Sequence, residues 1–188
     1  MLDELFNLVK QNAGTAIVNN PAIPNEKNDE VINEASSSIA GGLQGMFSGG
    51  GVQDLLKMFS GNQDVANSPV TNNISGGVAE NLMNKFGMDR NAANAVASDL
   101  VPNVMQNLVK KTNDPNDSSF DIQSIFNKLS GGSTSGLNVH ALLNKFKGAG
   151  LDRDGDGDTD LQDLMKMVSG GGTNGGGGIL DKVKSMLN

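Results

Sequence analysis

Six carboxylates fall within twelve residues, at Asp152, Asp154, Asp156, Asp158, Asp160 and Asp163. Side chains of this kind, at this density, present hard oxygen ligands to a hard divalent cation. The same stretch holds one base, Arg153, so it carries five of the seven net negative charges of the whole chain. Without a cation these groups repel one another. They alternate with Arg153, Gly155, Gly157 and Thr159, so a tightly curled backbone can turn Asp152, Asp154 and Asp156 toward one centre. The competing reading is a solvated Asp/Gly turn. The register of the carboxylates and the placement of Gly157 favour coordination.

The spacing resembles the calcium loop of an EF-hand. In that pattern Gly157 takes the sixth place, where the loop turns sharply and a side chain would obstruct it. Asp158 contributes its backbone carbonyl, Asp160 acts directly or through a water, and Asp163 closes the shell from the next helix. Calcium accepts six to eight oxygens at about 2.3–2.6 Å, whereas magnesium requires a tighter octahedron. The cofactor expected is therefore Ca2+, with Mg2+ as the competitor. Two positions depart from the pattern. Asp163 stands where Glu is usual, and its shorter side chain reaches the metal less easily with both oxygens, which weakens calcium binding and its discrimination against magnesium. Thr159 stands where a branched apolar residue pairs with a second loop, and this sequence has no second Asp-rich loop. An Asp at the closing place also resembles a dockerin half-motif, which dockerins duplicate and this chain does not.

Composition narrows what surrounds the loop. The chain has 188 residues, 37% of them hydrophobic, with 25 glycines to thin the core. A net charge of -7 and the lack of a Lys/Arg cluster argue against nucleic acid and anionic membranes as partners. Cys, Trp and Tyr are absent, which removes disulfides, thiol catalysis and thiolate ligands together. His140 is the one histidine; between Val139 and Leu142 on a short helix it is expected to be partly buried and structural. The serines follow no nucleophile-elbow pattern, and the glycine runs follow no strand, so neither acyl transfer nor phosphate cradling is indicated. No enzymatic activity is expected. The N-terminal residues are acidic where a signal peptide would be basic, and no apolar run approaches the ~18 residues of a membrane span. The chain is read as cytoplasmic. Export without a cleaved signal is the alternative, and outside a cell a weak calcium site would be filled.

The elements that must position the loop are helical, because apolar residues recur at three- and four-residue steps and strict alternation is missing. Stripes run through Leu2, Leu5, Phe6, Val9 and Ala13; Ile32, Ala35, Ile39, Leu43 and Met46; Val52, Leu55, Leu56 and Phe59; and Val70, Ile74, Val78, Leu82 and Phe86. Ser68 can cap the fourth helix with Pro69 in its first position. Asp89 can cap a fifth, lined by Ala93, Val96, Leu100, Val104 and Leu108, in which Pro102 predicts an interruption and a kink. Ile122, Ile125, Phe126 and Leu129 mark a sixth, and Val139, Leu142, Leu143 and Phe146 a seventh that leads into the Asp loop. Leu161, Leu164, Met165 and Val168 mark the helix leaving it. The fold expected is all-α: a bundle of about eight to nine short amphipathic helices with Gly-rich joints and one EF-hand-like helix-loop-helix near the C-terminus.

Val52–Gly61 matches Leu161–Gly170 at seven of ten positions, and Leu82–Phe86 echoes Leu142–Phe146. Internal duplication would explain this, as would the likeness of short amphipathic helices in general; irregular spacing between the echoes favours the second. Residues 170–178 read as a flexible linker of roughly 15–18 Å. The stripe Ile179, Leu180, Val183, Met186 and Leu187 beyond it predicts a terminal helix able to dock on its own chain or on a second copy. The organisation expected is an N-terminal helical region (1–66), a helical domain (67–132), the helix-loop-helix (133–169), the linker (170–178) and the terminal helix (179–188).

Leu82-Met-Asn-Lys-Phe-Gly-Met-Asp-Arg-Asn-Ala-Ala-Asn-Ala-Val-Ala97 and Leu100-Val-Pro-Asn-Val-Met-Gln-Asn-Leu-Val-Lys-Lys-Thr112, together with the Asp154–Asp163 ending, resemble a family of uncharacterised bacterial proteins, the YidB-like proteins. The resemblance implies a bacterial source and an all-helical fold, and it supplies no activity, substrate or catalytic residue. Two functions remain from the sequence. One is a non-enzymatic calcium-binding structural or interaction protein in which the ion fixes the helix-loop-helix. The other is a homo-oligomer that assembles through its C-terminal helix, the acidic loop being only a stabilising turn.

Overall fold

The structure is a computed structural model that describes residues 2–61, 64–117, 119–132 and 138–148. The chain divides into a compact unit, Met1–Ala149, and a second unit, Gly150–Asn188, which lies outside the described residues. Seven α-helices occur among the described residues, without strands: α1 (Leu2–Asn12), α2 (Asn28–Ser48), α3 (Val52–Phe59), α4 (Pro69–Phe86), α5 (Arg90–Thr112), α6 (Ile122–Leu129) and α7 (Val139–Gly148). The all-α expectation therefore holds for the first unit.

The centre is the α4–α5 hairpin, with α2 packed on α4 and α1 on both α2 and α5. Local chemistry sets its boundaries. Ser68 Oγ accepts the Thr71 N–H at 3.1 Å, and Pro69 starts the helix where an N–H would have no partner. Gly87, at φ +63°, ends α4 in the left-handed conformation that glycine adopts without a Cβ penalty. Asp89 then caps α5 by accepting from both Asn91 and Ala92. The apolar stripe of α4 (Val70, Ile74, Val78, Leu82) and that of α5 (Ala93, Val96, Leu100, Val104) are buried, as are Ile32, Ile39 and Leu43 of α2.

Pro102 lies inside α5, which runs as one helix from Arg90 to Thr112 along the stripe expected through Leu108. Proline removes the bond to the carbonyl four residues back, here that of Ser98, and Ser98 is exposed, so water can satisfy that group. Between α1 and α2 a π-helical turn, Gly14–Val18, buries Ala16 and Ile17 and packs against α5.

Beyond this centre, α3 and α6 form a satellite. The Phe126 ring of α6 meets Phe47 at 5.9 Å and Phe59 at 6.0 Å between centroids, both edge-on, which ties α6 to the ends of α2 and α3. The two satellite helices are built alike. Each has eight residues and ends in a serine whose hydroxyl donates to the carbonyl three residues back, Ser60 to Lys57 at 2.6 Å and Ser130 to Asn127 at 3.0 Å. Each serine is followed by a glycine at positive φ, Gly61 at +76° and Gly131 at +60°. The next helix begins seventeen positions after the start of each, at Pro69 and at Val139.

Candidate functional site

The six carboxylates Asp152, Asp154, Asp156, Asp158, Asp160 and Asp163 lie outside the described residues, as do the outgoing helix and the C-terminal stripe. What is described is the helix that leads to them. α7 begins at Val139 and ends at Gly148, four residues before Asp152. Helical structure thus runs close to the point where the loop pattern requires it.

Val139 and Leu143 of α7, one turn apart, are buried, and the helix packs against α6 and α3. Its first turn is tied by polar bonds. Asn138 caps it from within by accepting the Ala141 N–H at 2.9 Å. The side-chain carbonyl of Gln123 on α6 accepts the Val139 N–H at 2.8 Å, so a neighbouring helix satisfies one of the donors that a helix start leaves open. Asp121 does two things. Its Oδ2 accepts the Ser124 N–H at 2.8 Å and caps α6, while its Oδ1 lies 3.0 Å from His140 Nε2. A carboxylate only accepts, so the Nε2 tautomer carries the donated proton.

His140 is therefore more exposed than expected, with its side chain 58% exposed. Successive helical residues are turned by about 100°, so a stripe through Val139 and Leu143 leaves the next residue off the buried face. Partial burial pushes the Asp121 carboxyl up, but the Ser124 N–H and the His140 ring donate to it, outweigh that effect and hold it below its ordinary value. Asp121 and Gln123 were not singled out by sequence. The signal for Asp121 was present, as an Asp directly before an apolar helical run.

Beside this corner lies a cleft of 390 Å³ lined by Asp114, Asp117, Phe120, Asp121, His140 and Leu143, among others. Its carboxylates already have partners. Asp114 accepts the Asn116 N–H at 2.9 Å, and Asp117 accepts from Lys111 Nζ at 2.8 Å and from the Ser119 N–H at 2.9 Å. The Lys111 ammonium, helped by Ser119, holds the Asp117 carboxyl well below the usual carboxylate range. The Thr112 hydroxyl donates to the Leu108 carbonyl, 2.7 Å away, rather than into a His-Asp pair. Among the described residues no group of three or more His, Asp or Glu could hold a metal ion. No helix among them is long and apolar enough to cross a membrane. No family model, curated protein or solved structure matches the chain.

Proposed function

We propose that this chain is a non-enzymatic structural or interaction protein of bacterial type that binds a divalent cation, Ca2+ in preference to Mg2+, at its C-terminal acidic loop. Asp152, Asp154, Asp156, Asp160 and Asp163 would supply side-chain oxygens and Asp158 its backbone carbonyl. The observation that carries the reading is the loop register itself, six carboxylates with Gly157 in the sixth place, beginning four residues beyond the last described residue of α7, Gly148. In this reading α7 is the incoming helix, held on α6 and α3 by Val139, Leu143 and the bonds to Asp121 and Gln123, and the ion fixes the helix-loop-helix. Membership in the YidB-like family is part of the same proposal and rests on the residue pattern now carried by α4 and α5.

Calorimetric titration of the full chain with CaCl2, repeated with MgCl2 and with the Asp152→Ala variant, tests it. One saturable calcium site, weaker magnesium binding and loss of the calcium heat in the variant are expected. Calcium heat retained at full strength in Asp152→Ala would overturn the ligand assignment. An absence of calcium heat, with particle size growing with protein concentration alone, would favour assembly through the C-terminal helix instead.

A further inference from the structure

The chain's one histidine sits where it can act as a clasp. His140 is in the first turn of α7, Asp121 is the cap of α6, and their 3.0 Å contact bridges the two helices at the corner where both begin. Val139 and Leu143 seat the first turns of α7 by burial, and the polar bonds at this corner add to that hold. The contact is wet enough to exchange protons with solvent, with side-chain exposures of 58% for His140 and 41% for Asp121.

From this geometry we propose that His140 and Asp121 form a proton-operated clasp, in which protonation of the imidazole tightens the seating of α7 on α6. A neutral imidazole donates one ordinary hydrogen bond to the carboxylate. An imidazolium donates a charge-assisted one and adds attraction. The surroundings act in the same direction. Asp121 is the acidic group of α6 at this corner, and Lys128 lies in the last turn of α6. Asp114 and Asp117 line the same cleft, with Lys111 paired to Asp117. α3, the other helix packed against α7, carries Asp54 and Lys57, neither of which lines the cleft. α7 itself carries Lys145 and Lys147 in its second half.

The sign follows from the two groups. Asp121 keeps its charge to lower pH than an ordinary carboxyl, because its native state holds it below that value. The clasp is thus strongest where the imidazole is protonated and the carboxylate is not. It weakens as rising pH takes the proton from the first and fails as falling pH adds one to the second. The device does not depend on the acidic loop.

Hydrogen exchange read residue by residue along α7, in the full chain with excess chelator so that divalent ions play no part, tests the clasp. Protection factors are corrected for the intrinsic pH dependence of exchange, and buried α5 amides serve as the internal reference. For a half-exposed pair, protection in α7 is expected to be about two- to fivefold higher at pH 5.5 than at pH 8. The pH difference should vanish in His140→Gln, which keeps a neutral donor. It should vanish also in Asp121→Asn, which keeps an oxygen for the Ser124 cap. Protection in α7 that does not vary with pH in the unaltered chain, or a pH difference that survives His140→Gln, would overturn the clasp.

Discussion

Gly41 and Gly42 are neighbours in α2, yet alanine should have opposite effects at the two positions. A Cβ built at Gly41 meets nothing within 4 Å. Alanine there gains only the helical preference and the lower unfolded-state entropy, about 0.5–1 kcal/mol of stabilisation. A Cβ at Gly42 would stand 2.9 Å from Ile74 Cγ1 and 3.6 Å from Ile74 Cβ, where α2 crosses α4. Ile74 is 1% exposed and β-branched, so it has little freedom to rotate away within a helix. Forcing one more carbon into that contact costs about 1–3 kcal/mol, which offsets the helical gain or exceeds it. The two variants should then differ by roughly 1–3 kcal/mol, with Gly41→Ala the more stable. Urea denaturation at equal slope gives the difference directly from the midpoints. In a double-mutant cycle, Ile74→Ala should remove the penalty at Gly42, because it deletes the Cγ1 atom that the new methyl would strike. A Gly42→Ala variant as stable as Gly41→Ala would refute the close approach of the two helices.

Ser68→Ala should cost about 1 kcal/mol, read as a lower urea midpoint, since it leaves the Thr71 N–H at the buried start of α4 without its acceptor. Asp117→Asn should flatten the acid limb of the stability curve: with its native carboxyl held low by Lys111, Asp117 contributes stability above the ordinary carboxylate range that is lost as pH falls below it. Melting curves from pH 5 downward, compared with those of the unaltered chain, check this. Asp163→Glu should tighten calcium and widen its margin over magnesium, because the longer side chain closes the shell with both oxygens; competition calorimetry reads both effects.

Most helix limits were legible because they depend on single residues acting locally. Ser68-Pro69 and Asp89 specify their helix starts through hydrogen bonds within three residues, and the stripes of α4 and α5 fall on one face by spacing alone. The π-helical turn at Gly14–Val18 was not legible, since it depends on Ala16 and Ile17 reaching a core that includes α5, far along the chain. Pro102 was legible as an irregularity within the fifth helix rather than as its end. The residue type signals a break, but whether a helix breaks there depends on where the freed carbonyl finds a partner, and that is set by the exposure of its face. At the α6–α7 corner the sequence offered His140 as an isolated residue. Its role follows from Asp121, nineteen positions earlier, and only the packing of two short helices brings the pair together.

For the acidic loop, the physical question is whether calcium would act as a ligand or merely as a screen. Five of the chain's seven net negative charges lie within twelve residues, so any salt relieves some repulsion there. At ~1 M salt the screening length falls to about 3 Å, shorter than most separations between carboxylates on a curled loop. If repulsion alone governs this region, concentrated NaCl should raise the melting temperature as much as millimolar calcium does. Coordination has a different signature. It needs oxygens at about 2.3–2.6 Å from one ion, which no degree of monovalent screening supplies, and it depends on each ligand in turn. Calcium should therefore stabilise the chain beyond NaCl at matched ionic strength, and that excess should disappear in Asp152→Ala, which removes one ligand while leaving most of the charge. Equal shifts with the two salts, or an excess that survives the substitution, would mean that the loop senses ionic strength rather than binding an ion.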